Sequence, residues 1–216
     1  MARPATGPLM RRHAISWMVV LAMLCVAGLA TRNAQAQHGG WQTVQWQIDA
    51  RGHVAVTASV DLALSQPVLN ALHRGVPVYF MARAQLERQR RWWWPQLEAS
   101  AERYWRLGHL PLTGAWQLQH SSTPFAPDAT IAGLAQRFAS LDAALAALAH
   151  IGPWQISPVT PLRPGRYFAS LQFEIDRSLL PRPLQFDTDS RAGWELILTD
   201  RQHLLLDDGG LRPLPR

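Results

Sequence analysis

Residues 43–62 read TVQWQIDARGHVAVTASVDL, and their period of two determines the class of fold. Apolar and polar side chains alternate on both sides of Arg51-Gly52, which is typical of two half-buried β-strands joined by a turn. The residues on the apolar face are Val44, Trp46, Ile48, Ala50, Val54, Val56, Ala58, Val60 and Leu62. We therefore predict a β-hairpin with a two-residue turn.

The same alternation returns along the chain and predicts further strands. It covers residues 76–87, 102–107, 115–120, 154–157, 167–175 and 194–198. Two short helices interrupt it, one capped by Ser65 and ended by Gly75, the other capped by Ser140 and running from Leu141 to His150. Because no βαβ rhythm is present, we predict a mainly β, antiparallel, sandwich-like domain with one or two short helices, with an α+β fold as the alternative.

Residues 1–36 have the pattern of an export signal. Basic residues precede an apolar run from Ala14 to Ala30, and Ala34-Gln35-Ala36 follows as a small-residue cleavage motif. We predict a signal peptide over 1–36, a single mainly β domain over 37–206 and a loose C-terminal tail over 207–216. The expected location is periplasmic or secreted, and the alternative is an inner-membrane anchor formed by an uncleaved signal.

Most of the excess positive charge of the whole chain comes from this segment. All 21 basic residues are Arg, the formal net charge is +6, and Cys25 in the apolar run is the single Cys. Residues 37–216 keep 17 Arg against 15 acidic residues, a net charge of +2, and no Cys. A nucleic-acid partner is therefore disfavoured, and the stability of the domain has to come from its core.

Patterns that indicate catalysis or metal binding are absent from residues 37–216. No thiol, nucleophile elbow or phosphate-binding glycine loop is present, and no two His stand at i, i+4. Asp187-Thr188-Asp189-Ser190 resembles the start of a calcium loop, but Arg191 occupies the next ligand position, so we interpret it as a polar turn. We predict a binding protein with no cofactor, metal or catalytic residue. A ligand-binding protein or hydrolase with a site assembled across the sandwich is the alternative.

The segment from Arg88 to Trp94 has the most unusual composition. Its candidate interaction surface consists of Arg88, Arg90, Arg91, Trp92, Trp93 and Trp94. One interpretation is structural, with a strand end that buries alternate Trp beneath Arg side chains. In the other, the segment contacts a membrane surface, an envelope protein or a stacked ligand, since Arg attracts anions and Trp prefers interfaces.

Four motifs in order resemble the DUF4390 family, a domain of unknown function found in exported proteobacterial proteins. They are 90–94 (RRWWW), 104–107 with 110–113 (YWRL, LPLT), 138–145 (FASLDAAL), and 180–185 (LPRPLQ) with Trp194. The resemblance covers residues 41–206, and the sequence departs from it at Gly108-His109 and in the tail. It implies a single-domain envelope protein, sometimes called a proline-rich signal-peptide protein, with no catalytic residues or cofactor to transfer. Similar genes tend to lie beside a membrane sensor kinase, which suggests an association with envelope signalling.

Overall fold

Antiparallel strands make up most of the chain that the structure describes. The computed structural model describes residues 39–49, 51–126, 135–158, 160–179 and 193–215. The elements are β1 Gly40–Ile48, β2 Val54–Asp61, α1 Gln66–His73, β3 Val78–Arg88, β4 Gln96–Leu110, β5 Ala115–Ser121, β6 Ala135–Phe138, α2 Leu141–Ala149, β7 His150–Ile156, β8 Gly165–Ile175, a 3-10 turn Arg177–Leu179, β9 Ile197–Asp207 and β10 Gly210–Pro213.

The strands form two sheets that share one hydrophobic core. One sheet has the order β1-β2-β7, the other has the order β10-β9-β8-β3-β4-β5-β6, and every pairing is antiparallel. Buried residues from both sheets belong to a single cluster. The prediction of a mainly β, sandwich-like domain is confirmed.

Strand β3 is the centre of the larger sheet, since it pairs with β4 on one side and β8 on the other. Its core-facing residues, all with no exposed surface, are Val78, Phe80, Ala82, Ala84 and Leu86. The Phe80 and Phe173 rings stack at 5.7 Å between ring centroids, across the β3–β8 pair. The core face predicted from the sequence is therefore the core face of the folded strand, although Tyr79 and Met81 on its other face are buried as well.

The β1–β2 hairpin forms as predicted, but its connection is longer than two residues. The last register pair is Ile48 with Val54, so residues 49–53 make the connection. The Asp49 carboxylate accepts hydrogen bonds from the N–H groups of Arg51 and His53, both at 2.8 Å. These bonds stabilise an Asx turn, which explains the longer loop.

The two helices form close to the predicted places. Ser140 caps α2, because its Oγ accepts a hydrogen bond from the N–H of Ala143 at 3.2 Å. At α1, Ser65 stands at the N-cap position as predicted, but its side chain makes no cap hydrogen bond, because its hydroxyl donates to the carbonyl of Gly193. Gly75 follows α1 with φ +85, which is the left-handed conformation expected of a glycine that ends a helix.

Residues 207–213 form a β-hairpin where the sequence predicts a loose tail. Gly210–Pro213 forms β10 and pairs with the end of β9. The Asp207 carboxylate binds the N–H of Gly209 at 2.9 Å and also the Arg212 guanidinium, which closes the turn. The hairpin extends the sheet, and Leu211 packs partly buried against the core.

The predicted signal segment (1–36), the 180–184 segment and the 187–190 turn lie outside the described residues. Within the described ranges, none of the helices has the length and apolar character needed to cross a membrane.

Candidate interaction site at the β3–β4 tip

Residues 89–95 connect β3 to β4 and form the hairpin tip, the name used for them below. Trp92, Trp93 and Trp94 are 86%, 76% and 88% exposed. The interpretation in which a strand end buries alternate Trp is therefore wrong. Large indoles usually lie in cores, so three consecutive exposed rings make this tip an unusual apolar surface and the candidate interaction site.

The end of strand pairing explains why the indoles are exposed. Arg88 is the last residue of β3 and pairs with both Gln96 and Tyr167, and the N–H of Gln89 still donates to the Arg166 carbonyl at 2.9 Å. Beyond this bond the chain leaves the sheet. The rings that follow have no opposing sheet against which to pack.

The tip is cationic as well as aromatic. Arg90 and Arg91 are exposed beside the indoles, and the segment from Arg88 to Trp94 contains no acidic residue. Leu97, 49% exposed at the start of β4, extends the apolar part. Cationic and apolar groups are therefore exposed together in this loop.

A β-bulge next to the tip reorients Glu98. Leu86 pairs with Ala99 and Glu87 pairs with Leu97, so Glu98 is the extra residue on β4. Bulges re-aim side chains and are common beside functional sites. Glu98 and Ala99 are consecutive buried residues, which breaks the alternation, and Glu98 is only 8% exposed.

Glu98 lies in a groove of about 610 Å³ beside the tip. The groove is formed by the end of β3, the start of β4 and the loop that precedes β8. Its lining includes Arg88, Arg90, Gln96, Glu98, Thr160 and Arg163. Three Arg residues and one Glu therefore line one depression.

Tyr167 holds the loop wall of the groove. Its hydroxyl donates to the Arg163 carbonyl at 2.6 Å and accepts from the Arg163 N–H at 3.2 Å. Burial raises the pKa of Tyr167, opposed by the hydrogen bond from the Arg163 backbone and by the charge of Arg88. The neutral phenol is therefore favoured, and it fixes the backbone that carries Arg163.

The structure divides the six predicted residues between two neighbouring surfaces. Arg88 and Arg90 line the groove, and Arg90, Arg91 and the three Trp residues lie in the tip, so Arg90 belongs to both surfaces. Glu98, Thr160 and Arg163 were missed by sequence reasoning. Arg163 lies 65 or more positions along the chain from the groove residues of β3 and β4, and only the fold brings them together. Glu98 was missed because Leu97-Glu98-Ala99 reads as a regular alternation.

His73 and His109 come together although they are far apart in sequence. The His109 ring stacks on Trp116 at 4.5 Å between centroids, and the His73 ring meets the same indole edge-on at 5.3 Å. The described residues contain no group of three His, Cys, Asp or Glu side chains that could hold a metal ion.

The fold and this site define a class: a two-sheet antiparallel β domain with a cationic, aromatic hairpin tip. The chain belongs to the family called Domain of unknown function (DUF4390), which matches residues 40–204 and confirms the resemblance. No curated protein and no solved structure matches the chain.

Proposed function

We propose that this protein is an exported, non-catalytic binding module that docks on an anionic membrane surface through its hairpin tip. The observation that carries the proposal is the exposure of Trp92, Trp93 and Trp94 beside Arg90 and Arg91. Indole rings favour the bilayer interface, and Arg gains Coulomb attraction from anionic headgroups. A single tip therefore offers both contributions to membrane affinity.

Export and placement in the periplasm belong to the same proposal. They are supported by the signal pattern over residues 1–36, with cleavage after Ala36. A domain that docks on the membrane would stand beside the membrane sensor kinase that the family resemblance associates with it. Within this proposal the module acts as an accessory to envelope signalling.

Co-sedimentation with vesicles tests the proposal. The protein in its natively processed form is mixed with phosphatidylcholine vesicles that contain phosphatidylglycerol, at low and at high salt. We expect sedimentation at low salt and its loss at high salt, because salt screens charges at an exposed surface. If the protein does not sediment at low salt, the membrane proposal fails and a protein partner becomes the occupant of the tip.

Variants locate the contact. Arg90→Gln and Arg91→Gln should each lower vesicle affinity about fivefold, since one charge near an anionic surface contributes about 1 kcal/mol. The matched control for charge is Arg137→Gln, an exposed Arg on β6, and the matched control for an exposed apolar side chain is Leu112→Ala in the β4–β5 turn. Equal losses in variants and controls would contradict docking through the tip.

A further inference from the structure

Glu98 in the groove beside the tip is a buried carboxylate without an ion pair. It is 8% exposed, and no Arg or His in the described ranges forms a salt bridge with it. Its one hydrogen bond comes from the Thr160 hydroxyl at 3.5 Å, which is the long limit for such a bond. Buried charges in proteins are normally paired, so this carboxylate lacks the cation that its site implies.

The cations that line the same groove are also available to a ligand. Arg88, Arg90 and Arg163 make no salt bridge within the described part of the chain. Their guanidinium groups suit phosphate, which offers several acceptor oxygens to planar donors. The groove thus presents donors for an anion and an acceptor for a cation within one depression.

We propose that this groove binds the zwitterionic phosphoethanolamine headgroup of a membrane lipid. The Glu98 carboxylate accepts hydrogen bonds from the primary ammonium, and Arg88 and Arg163 donate to the phosphate. A primary ammonium carries three N–H donors, whereas the quaternary ammonium of phosphocholine has none to give to Glu98. The assignment deepens the proposed function and rests on it, because the tip would bring the groove to the headgroup layer.

The groove is held in place before any ligand arrives. Tyr167 fixes the Arg163 backbone through two hydrogen bonds, and the Gln89 N–H ties the base of the tip to Arg166. The bulge in β4 directs Glu98 toward the buried side. A backbone that is fixed in this way loses little conformational entropy when the groove binds a small headgroup.

Titration with soluble headgroups tests the assignment directly. The natively processed protein is titrated with glycerophosphoethanolamine and, separately, with glycerophosphocholine, and binding is followed by NMR. We expect saturable shifts with the first probe and about tenfold weaker binding of the second, because one charge-assisted hydrogen-bonded contact is lost. Equal affinity for both probes, or no saturable binding of glycerophosphoethanolamine, would overturn the proposal.

Two variants test separately the ammonium-binding half of the groove, at Glu98, and the phosphate-binding half, at Arg163. Glu98→Gln should remove the preference for the primary ammonium, whereas Arg163→Gln should lower the affinity for both probes by about tenfold. Arg163 is exposed, so this variant remains informative if Glu98→Gln does not fold. Arg137→Gln is the control, and an effect of equal size there would overturn the assignment.

A vesicle comparison separates this inference from the proposed function. Phosphatidylethanolamine replaces phosphatidylcholine at constant phosphatidylglycerol content, and we expect stronger sedimentation that depends on Glu98. Equal sedimentation on both compositions would overturn the headgroup assignment and leave membrane docking intact. Binding of the soluble headgroup without any vesicle binding would support the groove and contradict docking.

Discussion

Glu102, Arg83 and Tyr104 form a polar network on the face of the larger sheet opposite its core. The Arg83 Nε donates to Glu102 at 2.8 Å, and the Tyr104 hydroxyl donates to the other carboxylate oxygen. The hydrogen bond from Tyr104, followed by the contact with Arg83, lowers the pKa of Glu102 below its usual 4.5. Burial, with help from Glu102, raises the pKa of Tyr104 to about 12.

We predict that this network makes stability depend on pH at both ends. Because the folded-state pKa of Glu102 is depressed, its contribution is present above pH 4.5 and is lost as pH falls through the folded value. Because the pKa of Tyr104 is raised, its contribution is present below pH 10.0 and is lost as pH rises toward about 12. Denaturant unfolding across pH measures both effects.

Glu102→Gln isolates the part of the pH dependence of stability that belongs to the acidic range. It should be less stable than the parent at pH 7, and the difference in unfolding free energy should shrink as the pH falls below 4.5. A difference that stays constant down to pH 3 would contradict the assigned role of the carboxylate.

Single indoles provide a second prediction at the scale of the residue. Trp93→Ala should change the unfolding free energy within about 0.5 kcal/mol, since the ring is 76% exposed. Trp105→Ala should cost about 3–5 kcal/mol, since that ring is 5% exposed in the core. Equal losses in chemical denaturation would show that the tip indoles pack against the domain.

Helix α2 differs in detail from the stripe that its sequence indicates. Leu141, Leu145 and Leu148 are the expected apolar face, yet the buried residues are Ala144 and Leu148. Leu141 and Leu145 are partly buried and pack at the margin of the core. The helix is rotated so that the small Ala144 meets the strands, which allows a close approach.

We therefore predict that Leu148→Ala and Leu145→Ala lower the unfolding free energy by different amounts. Leu148 has no exposed surface, so its truncation should lower the unfolding free energy by about 2–5 kcal/mol. Leu145→Ala should cost less, because part of the side chain already contacts water. Thermal and denaturant melts of both variants provide the measurement, and the reverse order would contradict the orientation of α2.

The strands could be predicted from the sequence wherever one face is buried. In β3 every second residue from Val78 to Leu86 is apolar and fully buried, because the strand has neighbours on both sides and packs this face in the core. The bulge at Glu98 could not be predicted, because it has no Gly or Pro to mark it. The end of β3 at Arg88 could not be predicted either, since it depends on pairing with residues far along the chain.

At the scale of the whole molecule, the groove exists only because the topology joins distant segments. Order β8-β3-β4 places the loop before β8 next to the tip, although Arg163 and Glu98 are 65 positions apart. The sequence indicated Arg88 and Arg90 through their local composition alone. Glu98, Thr160 and Arg163 carry no local pattern that distinguishes them from ordinary surface residues.

The mature protein should begin at Gln37. Ala34-Gln35-Ala36 provides small residues at the positions that signal peptidase recognises, directly after the apolar run. Intact-mass measurement of protein from the periplasmic fraction tests this expectation. A full-length species in the membrane fraction would contradict it and would favour an uncleaved anchor.

Quenching of tryptophan emission by brominated lipid tests the central claim most directly. Trp46, Trp105, Trp116, Trp154 and Trp194 are buried and Trp41 is partly buried against the core, so the part of the quenching that the tip variant removes reports on the tip indoles. We expect quenching of the natively processed protein on anionic vesicles and its loss when Trp92, Trp93 and Trp94 are all replaced by Ala. No quenching of the parent protein, or equal quenching of the triple variant, would contradict docking through the hairpin tip.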